Sequence, residues 1–351
     1  MKYYDIRDDL RAYPDAWCYL VWSKRGVGKT YSTLRMCIEE KKKFVFIKRT
    51  IEDVKLLCAS AKRKDIDFDI SPFVPLNRDF GWNIVPVKIE KGIAGFYNCN
   101  EEGEPAGAPV GYCIALTIAS EVKGFDMSEC DYMIFDEFIP KQYERVSRNE
   151  GDALLDIYMT ISRDRIERGR GELKLICLAN ATSINNPVFL VLEVMDTAAK
   201  MDVNQTEFVF LEDKNILLHE TKSDAKNENR EKTGIEKAME NTAWGDMSFS
   251  GQFAYDDFSN VQHIRLKNYQ PLCAYIYKRQ EVYIYQKDGY YFATKSKAKV
   301  NMYNLNREND QKRFFFDYIG RLREACIEDR MRFEEYTMYD LVINYKKIFK
   351  I

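Results

Sequence analysis

Ser23-Lys24-Arg25-Gly26-Val27-Gly28-Lys29-Thr30 is the stretch of this 351-residue chain whose residue types and spacing point most directly to chemistry. It follows the phosphate-loop pattern G-x-x-x-x-G-K-[ST], with Ser23 standing where the first glycine belongs. Gly-Lys-Thr alone arises by chance too often to prove anything, so placement carries the reading. Trp17 to Trp22 leads in as an apolar strand, and Tyr31, Leu34, Cys37 and Ile38 lead out at helical spacing. Backbone N–H groups from Ser23 to Thr30 and a helix N-terminus can then surround a phosphate. In that role Lys29 reaches the β- and γ-phosphates of ATP, and the Thr30 hydroxyl ligates Mg2+. The alternative, an exposed turn lysine, leaves Gly26 and Gly28 without purpose.

Asp131-Tyr132-Met133-Ile134-Phe135-Asp136-Glu137 supplies a second half, a buried strand delivering two adjacent carboxylates at its C-terminal end. Asp136 is expected in the Mg2+ shell, while Glu137, one residue further, can polarise a water for attack on the γ-phosphate. Leu178-Ala179-Asn180 ends the next strand in an uncharged polar group suited to the γ-phosphate or the attacking water; an Asn turn cap is the competing reading. Arg163, Arg165, Arg168 and Arg170 crowd one short segment, either a solvated basic turn or an arginine finger donated to a neighbour's nucleotide.

Other chemistries are disfavoured by composition. Two histidines, His219 and His263, have no neighbour at metal-ligand spacing, and nine scattered cysteines include no Cys-x-x-Cys pair. Structural zinc and a histidine-based acyl-transfer triad are therefore not expected, and the thiols read as reduced. With no 18-residue apolar run, a membrane span is not expected, and the chain reads as cytosolic. The formal net charge of -2 hides a split. Residues 1–260 carry 35 Lys plus Arg against 44 Asp plus Glu, whereas 261–351 carry 18 against 11, a net of +7. Such a basic tail suits a phosphate backbone. A solvated surface is the alternative.

The elements that must position these groups alternate strand and helix, the pattern of a parallel sheet covered on both faces. Phe44 to Ile47 reads as a second strand and Ile51 to Ala61 as a helix. Ile84 to Asn98 and Gly111 to Ile118 read as strands of an antiparallel insertion, and Ala153 to Ile161 as a helix. Leu173 to Leu178 is a strand, and Glu207 to Leu211 is expected as the last strand of this sheet. Leu272 to Tyr277, Val282 to Tyr285 and Tyr290 to Ala293 are Tyr-rich strands, followed by helices over Asp310 to Arg332 and Met338 to Lys347. Three parts result: an ATPase domain over 1–222, a small helical linker over 223–258, and a basic α+β domain over 259–351.

Arg25 to Thr30, Ile134 to Phe138, Ser162-Arg163-Asp164-Arg165, Cys177 to Ser183 with Asn186-Pro187, and Gly245 to Phe253 together resemble the DNA-packaging ATPases of small protein-primed podoviruses, relatives of terminase large subunits. The resemblance implies a P-loop NTPase domain of the additional strand, catalytic glutamate type. It implies a homomeric ring, a pentamer, on the portal (connector) of a procapsid in the host cytoplasm, with double-stranded DNA passing through its centre. It further implies that Arg163 is a trans-acting finger, with Arg165 its competitor, and that Lys123 also reaches a neighbour's nucleotide. The C-terminal domain is expected to be an RNase H-like vestigial nuclease, since its strands offer only Glu281 at a turn where metal-binding acids would cluster. A prohead RNA is a further implied partner. Lys278, Arg279, Lys295, Lys297 and Lys299 are candidates for contacting that RNA or the DNA, and Lys48 and Arg49 for contacting DNA phosphates in a channel. A nuclease, a non-catalytic nucleic-acid binder and a small-molecule kinase are the competing functions.

Overall fold

The computed structural model describes residues 4–59, 70–121, 126–141, 144, 146, 147, 149–221, 233–240, 242, 245, 253, 256 and 258–351. Nine strands form one sheet: β1 (Cys18–Ser23), β2 (Phe44–Lys48), β3 (Ile84–Glu90), β4 (Ile93–Cys99), β5 (Pro105–Ala115), β6 (Tyr132–Asp136), β7 (Lys174–Asn180), β8 (Phe208–Leu211) and β9 (Ile216–Glu220). Their order is β3-β4-β5-β2-β6-β7-β1-β9-β8. The centre, β2-β6-β7-β1, is parallel throughout. Those strands are buried along nearly their whole length, which is why they read as continuous apolar runs instead of alternating ones. β7 stands between β1 and β6, so one strand separates the phosphate loop from the paired acids.

The flanks depart from expectation in two places. Ile84 to Asn98 is a hairpin, β3 and β4, turning at Lys91 and Gly92, and β4 pairs in turn with β5. Glu90, Lys91 and Gly92 interrupt the apolar run at the turn, a break that reading the segment as one strand passes over. On the other side, Glu207 to Leu211 does not end the sheet alone. β9 pairs in parallel with β1, and β8 folds back onto it at the edge through Asn215, whose φ is 49°.

By contacts the chain divides into two compact units. One comprises 1–192 and 204–255; the other comprises 193–203 and 256–351. Most of the helix Met195–Asn204 thus groups with the C-terminal residues although it lies between elements of the first sheet. The C-terminal sheet runs β13 (Met302–Asn304), β10 (Gln270–Tyr277), β11 (Gln280–Lys287), β12 (Tyr290–Thr294), β14 (Met331–Phe333). β10 to β12 are an antiparallel meander, with β13 parallel to β10 and β14 parallel to β12. Tyr275, Ile284, Phe314, Leu322, Phe333 and Leu341 share its core with the helices after it. β14 replaces the end of the helix expected up to Arg332, because the chain turns at Asp329, φ 56°. Of the expected linker, Gly234–Ala238 is a helix held by a Thr233–Glu236 capping box, and much of the rest lies outside the described residues. No helix among the described residues is long and apolar enough to cross a membrane. No disulfide joins any of the nine cysteines.

Candidate active site

Parallel neighbours bring their C-terminal ends to one edge, so Ser23, Asn180, Asp136 and Lys48 finish β1, β7, β6 and β2 side by side. Ser23 and Asn180 are register partners. The chain leaves Ser23 through Gly26 and Gly28, with φ 78° and 88°, left-handed values that glycine adopts without strain. Gly28 then caps the helix Lys29–Glu39 without a side chain, so its first N–H groups stay directed at the loop's hollow. Lys29 is buried, and its Nζ donates to Ser23 Oγ at 2.5 Å, with Lys24 O and Asn180 Oδ1 both at 3.4 Å. Burial pushes the Lys29 ammonium down to about 8, against the opposing pull of Asp136. A cation stripped of water and resting on neutral oxygens gains from an arriving anion. Ser23 also explains the altered first position of the motif: its hydroxyl accepts from Lys29 while donating to Lys24 O at 2.7 Å.

Thr30 Oγ1 donates to Asp136 Oδ1 at 2.8 Å, and Lys48 Nζ meets Asp136 Oδ2 at 3.2 Å. Burial alone would lower the Lys48 ammonium, but the charge and hydrogen bond of Asp136 hold it above its ordinary value. Hydroxyl and carboxylate oxygens of this kind fit Mg2+, a hard ion that takes one or two protein ligands and completes its shell with phosphate oxygens and water. The cation Lys48 already opposite Asp136 marks where positive charge is wanted.

Glu137 leaves β6 with φ 58°. The left-handed turn sends Phe138 inward, where its N–H donates to Leu178 O at 3.2 Å and its ring packs on Phe189, and leaves the Glu137 side chain 47% exposed. The Lys141 ammonium lies 3.9 Å from Glu137 Oε2. A non-glycine residue in this region costs about 1–2 kcal/mol, which Arg49 offsets. Arg49 Nη2 donates to Glu137 O at 2.9 Å and Phe138 O at 3.3 Å, while Nε bonds Glu150 at 2.8 Å and Nη1 bonds Glu144 at 3.0 Å. Burial raises the Glu150 carboxyl, and Arg49 opposes that rise. Lys48 and Arg49, expected to face DNA, are thus ion-paired within the edge that holds Asp136 and Glu137. Sequence reasoning missed this role. The acids at 144 and 150 were the available signal, but only the fold brings them to Arg49.

The helix Glu150–Ser162 runs from this edge to the opposite one. There Arg163, its C-cap, is exposed. Arg165 is 1% exposed and bonds Ser128 O at 2.6 Å, Cys130 O, Gly171 O at 3.1 Å and Asp131 at 3.3 Å. The two competing arginines therefore differ: one is placed outside, the other is consumed inside. Lys123 lies outside the described residues. In the C-terminal unit Lys278 and Arg279 sit exposed at the β10–β11 turn and Lys299 is exposed, whereas Lys295 pairs with Glu335 at 2.7 Å and Lys297 with Glu281 at 3.2 Å.

Comparison with known proteins bears on the whole arrangement. Residues 106–342 match the model of the family described as Podovirus DNA encapsidation protein (Gp16). A DNA packaging protein of Bacillus phage B103 is 27% identical over 259 residues, covering 72% of this chain and 69% of that protein. The DNA packaging protein of Bacillus phage phi29 is 32% identical over 151 residues, 43% of this chain and 42% of its own length. Among solved structures, a chain of the bacteriophage Phi-29 viral genome packaging motor assembly superposes with TM-score 0.64 at 18% identity, covering 99% of this chain and 98% of that one. A chain of the Phi-28 gp11 DNA packaging motor gives 0.61 at 19% identity over the same shares. These two likenesses extend to the fold of nearly the full chain.

Proposed function

This chain belongs to the podovirus DNA encapsidation (Gp16) family and packages viral DNA, and from that premise we propose that it does so as an ATP-hydrolysing ring subunit. The observation that carries the proposal is Lys29, buried at the mouth of a glycine loop and held by Ser23 and Asn180 one strand away from Asp136. A strand between the loop and the acids supports the additional strand, catalytic glutamate P-loop class that the resemblance implies. In this reading the loop from Ser23 to Thr30, including the backbone of Lys24, Arg25, Gly26, Val27 and Gly28, holds the triphosphate of ATP. Thr30 and Asp136 would hold Mg2+, which would supply positive charge to offset the negative charge of the phosphates. Glu137 orients and deprotonates the attacking water, and Asn180 hydrogen-bonds the γ-phosphate.

Arg163 cannot serve its own nucleotide. Thirteen helical residues separate it from the edge where Arg49 holds Glu137 and Glu150, a rise of about 20 Å. An arginine side chain spans far less. That distance supports the role the family resemblance gives Arg163, and with it Lys123: acting on the site of an adjacent copy, so that hydrolysis would be a property of a ring. Following the family, that ring is a pentamer on the portal of a procapsid in the host cytoplasm, moving double-stranded DNA and docking on a prohead RNA. Lys278, Arg279 and Lys299 are the cations of the C-terminal unit best placed for either nucleic acid. That unit is read as an RNase H-like scaffold without nuclease chemistry. Its Glu281 is tied to Lys297 and Tyr283.

The test is phosphate release from ATP by the full chain with Mg2+, alone and with duplex DNA and procapsids. Stimulated release that disappears in Lys29→Ala is expected. Wild-type turnover in Lys29→Ala would sink the reading.

A further inference from the structure

Arg165 is buried at a cost that a surface turn does not require. Taking a guanidinium out of water is costly unless its N–H groups find partners. Here four of the five find them, on two separate pieces of chain. Nε closes the loop after the Glu150–Ser162 helix onto Gly171 O, while Nη1 reaches Ser128 O and Cys130 O and Nη2 reaches Asp131. Asp131 is the residue before β6, and its N–H is bonded to Lys43 O at the foot of β2. Arg168 adds a bond from Nη1 to Ser128 Oγ at 3.2 Å. One planar group with five divergent donors can span these acceptors, which a lysine cannot.

The local backbone turns this anchor into an aiming device. Arg163 has extended dihedrals (φ -52°, ψ 131°) and Asp164 is left-handed (φ 57°), so consecutive arginines two apart face opposite ways. Arg165 goes in and Arg163 goes out. Met159 and Ile166, on either side of Arg163 in sequence, are 67% and 75% exposed. A finger must be pre-placed to stabilise a transferring phosphoryl group, because ordering a loose loop at the moment of reaction subtracts from that stabilisation.

We propose that Arg165 is the positioning residue for the trans-acting finger: its buried guanidinium locks the 163–171 loop to the foot of the Asp136 strand and so presents Arg163 to a second copy of this chain. The inference rests on the trans reading of Arg163 given above. Arg165 touches no nucleotide itself. Its loss should therefore impair the neighbour's site and leave its own intact.

The experiment uses rings assembled on procapsids from Arg165→Lys, Arg165→Ala or Arg163→Ala chains, alone and mixed with Glu137→Gln chains, which lack turnover but keep their fingers. Fluorescent ATP-analogue binding is measured alongside turnover. For Arg165→Lys we expect binding within about twofold of wild type, turnover at least tenfold lower, and recovery on mixing that parallels Arg163→Ala. Arg165→Lys binds the analogue only if the first unit is folded, so that variant keeps the test alive should Arg165→Ala fail to fold. Wild-type turnover in Arg165→Lys overturns the proposal, as does recovery of Arg163→Ala without recovery of Arg165→Lys. If Arg163→Ala itself is not recovered, the trans reading falls and this inference with it.

Discussion

At the scale of single residues, the chemistry separates into groups that meet the nucleotide and groups that hold them. Glu137→Gln keeps size and hydrogen bonding but removes the base. We expect analogue binding near wild type with ATP turnover reduced at least a hundredfold, read by phosphate release. Arg49→Ala behaves differently, because it leaves Glu150 buried without its cation and Glu137 without its backbone anchor. Breaking one side of a buried pair costs about 3–5 kcal/mol, so a clear fall in the thermal midpoint should accompany the lost turnover. An unchanged midpoint would show that Arg49 is not an internal anchor. The difference mirrors what was legible. Lys29, Thr30, Asp136 and Glu137 announce themselves by adjacent residue types, because the phosphate loop and the acid pair are each one short stretch of chain. Arg49 does not, since its partners lie 95 and 101 residues away in sequence. Ser23 was an irregularity in a motif until β7 placed Asn180 beside it.

Elements carry the next level, and the helix Glu150–Ser162 matters most because it joins the Glu137 edge to the Arg163 edge. Its seating depends on Gly151. A Cβ there would meet Pro187 O at 2.4 Å and Val191 at 2.7 Å, too close for any side chain. Gly151→Ala must push this helix away from Pro187–Leu192, at a cost of about 1–3 kcal/mol, and tilt its Arg163 end. Expected are a lower denaturation midpoint and, in mixed rings, a defect donated to neighbours. A variant with wild-type stability would show that the contact yields freely. Elements of the central sheet were readable as buried parallel runs, whereas β9 and β14 were not. Both are short strands whose membership depends on a neighbouring edge, β1 for one and β12 for the other.

For the whole molecule, the grouping of 193–203 with 256–351 means that the C-terminal unit is completed by a helix borrowed from the middle of the chain. A linear charge split could not show this, although it did locate the basic tail. Asp196 fastens that helix, accepting from Thr337 N at 2.9 Å and Thr337 Oγ1 at 2.8 Å. Burial, and then the charge of Glu335, push the Asp196 carboxyl up to about 6. Lys295 and Lys200 face Glu335 from the other side, at 2.7 and 3.8 Å. Because the folded state holds the Asp196 proton more tightly than the unfolded chain, its stabilisation is complete below the ordinary aspartate range near pH 4. It declines as pH rises through about 6 and is absent above, an effect of at most about 3 kcal/mol. Asp196→Asn keeps one oxygen to accept from Thr337 N–H and gives up the acceptor for the Thr337 hydroxyl in exchange for a permanent NH2 donor, so its smaller stabilisation should not vary with pH. Hydrogen exchange across 195–203 should therefore speed up between pH 5 and 7.5 in wild type, after correction for intrinsic rates, and change little in Asp196→Asn. Equal pH dependence in both chains would place the controlling proton elsewhere.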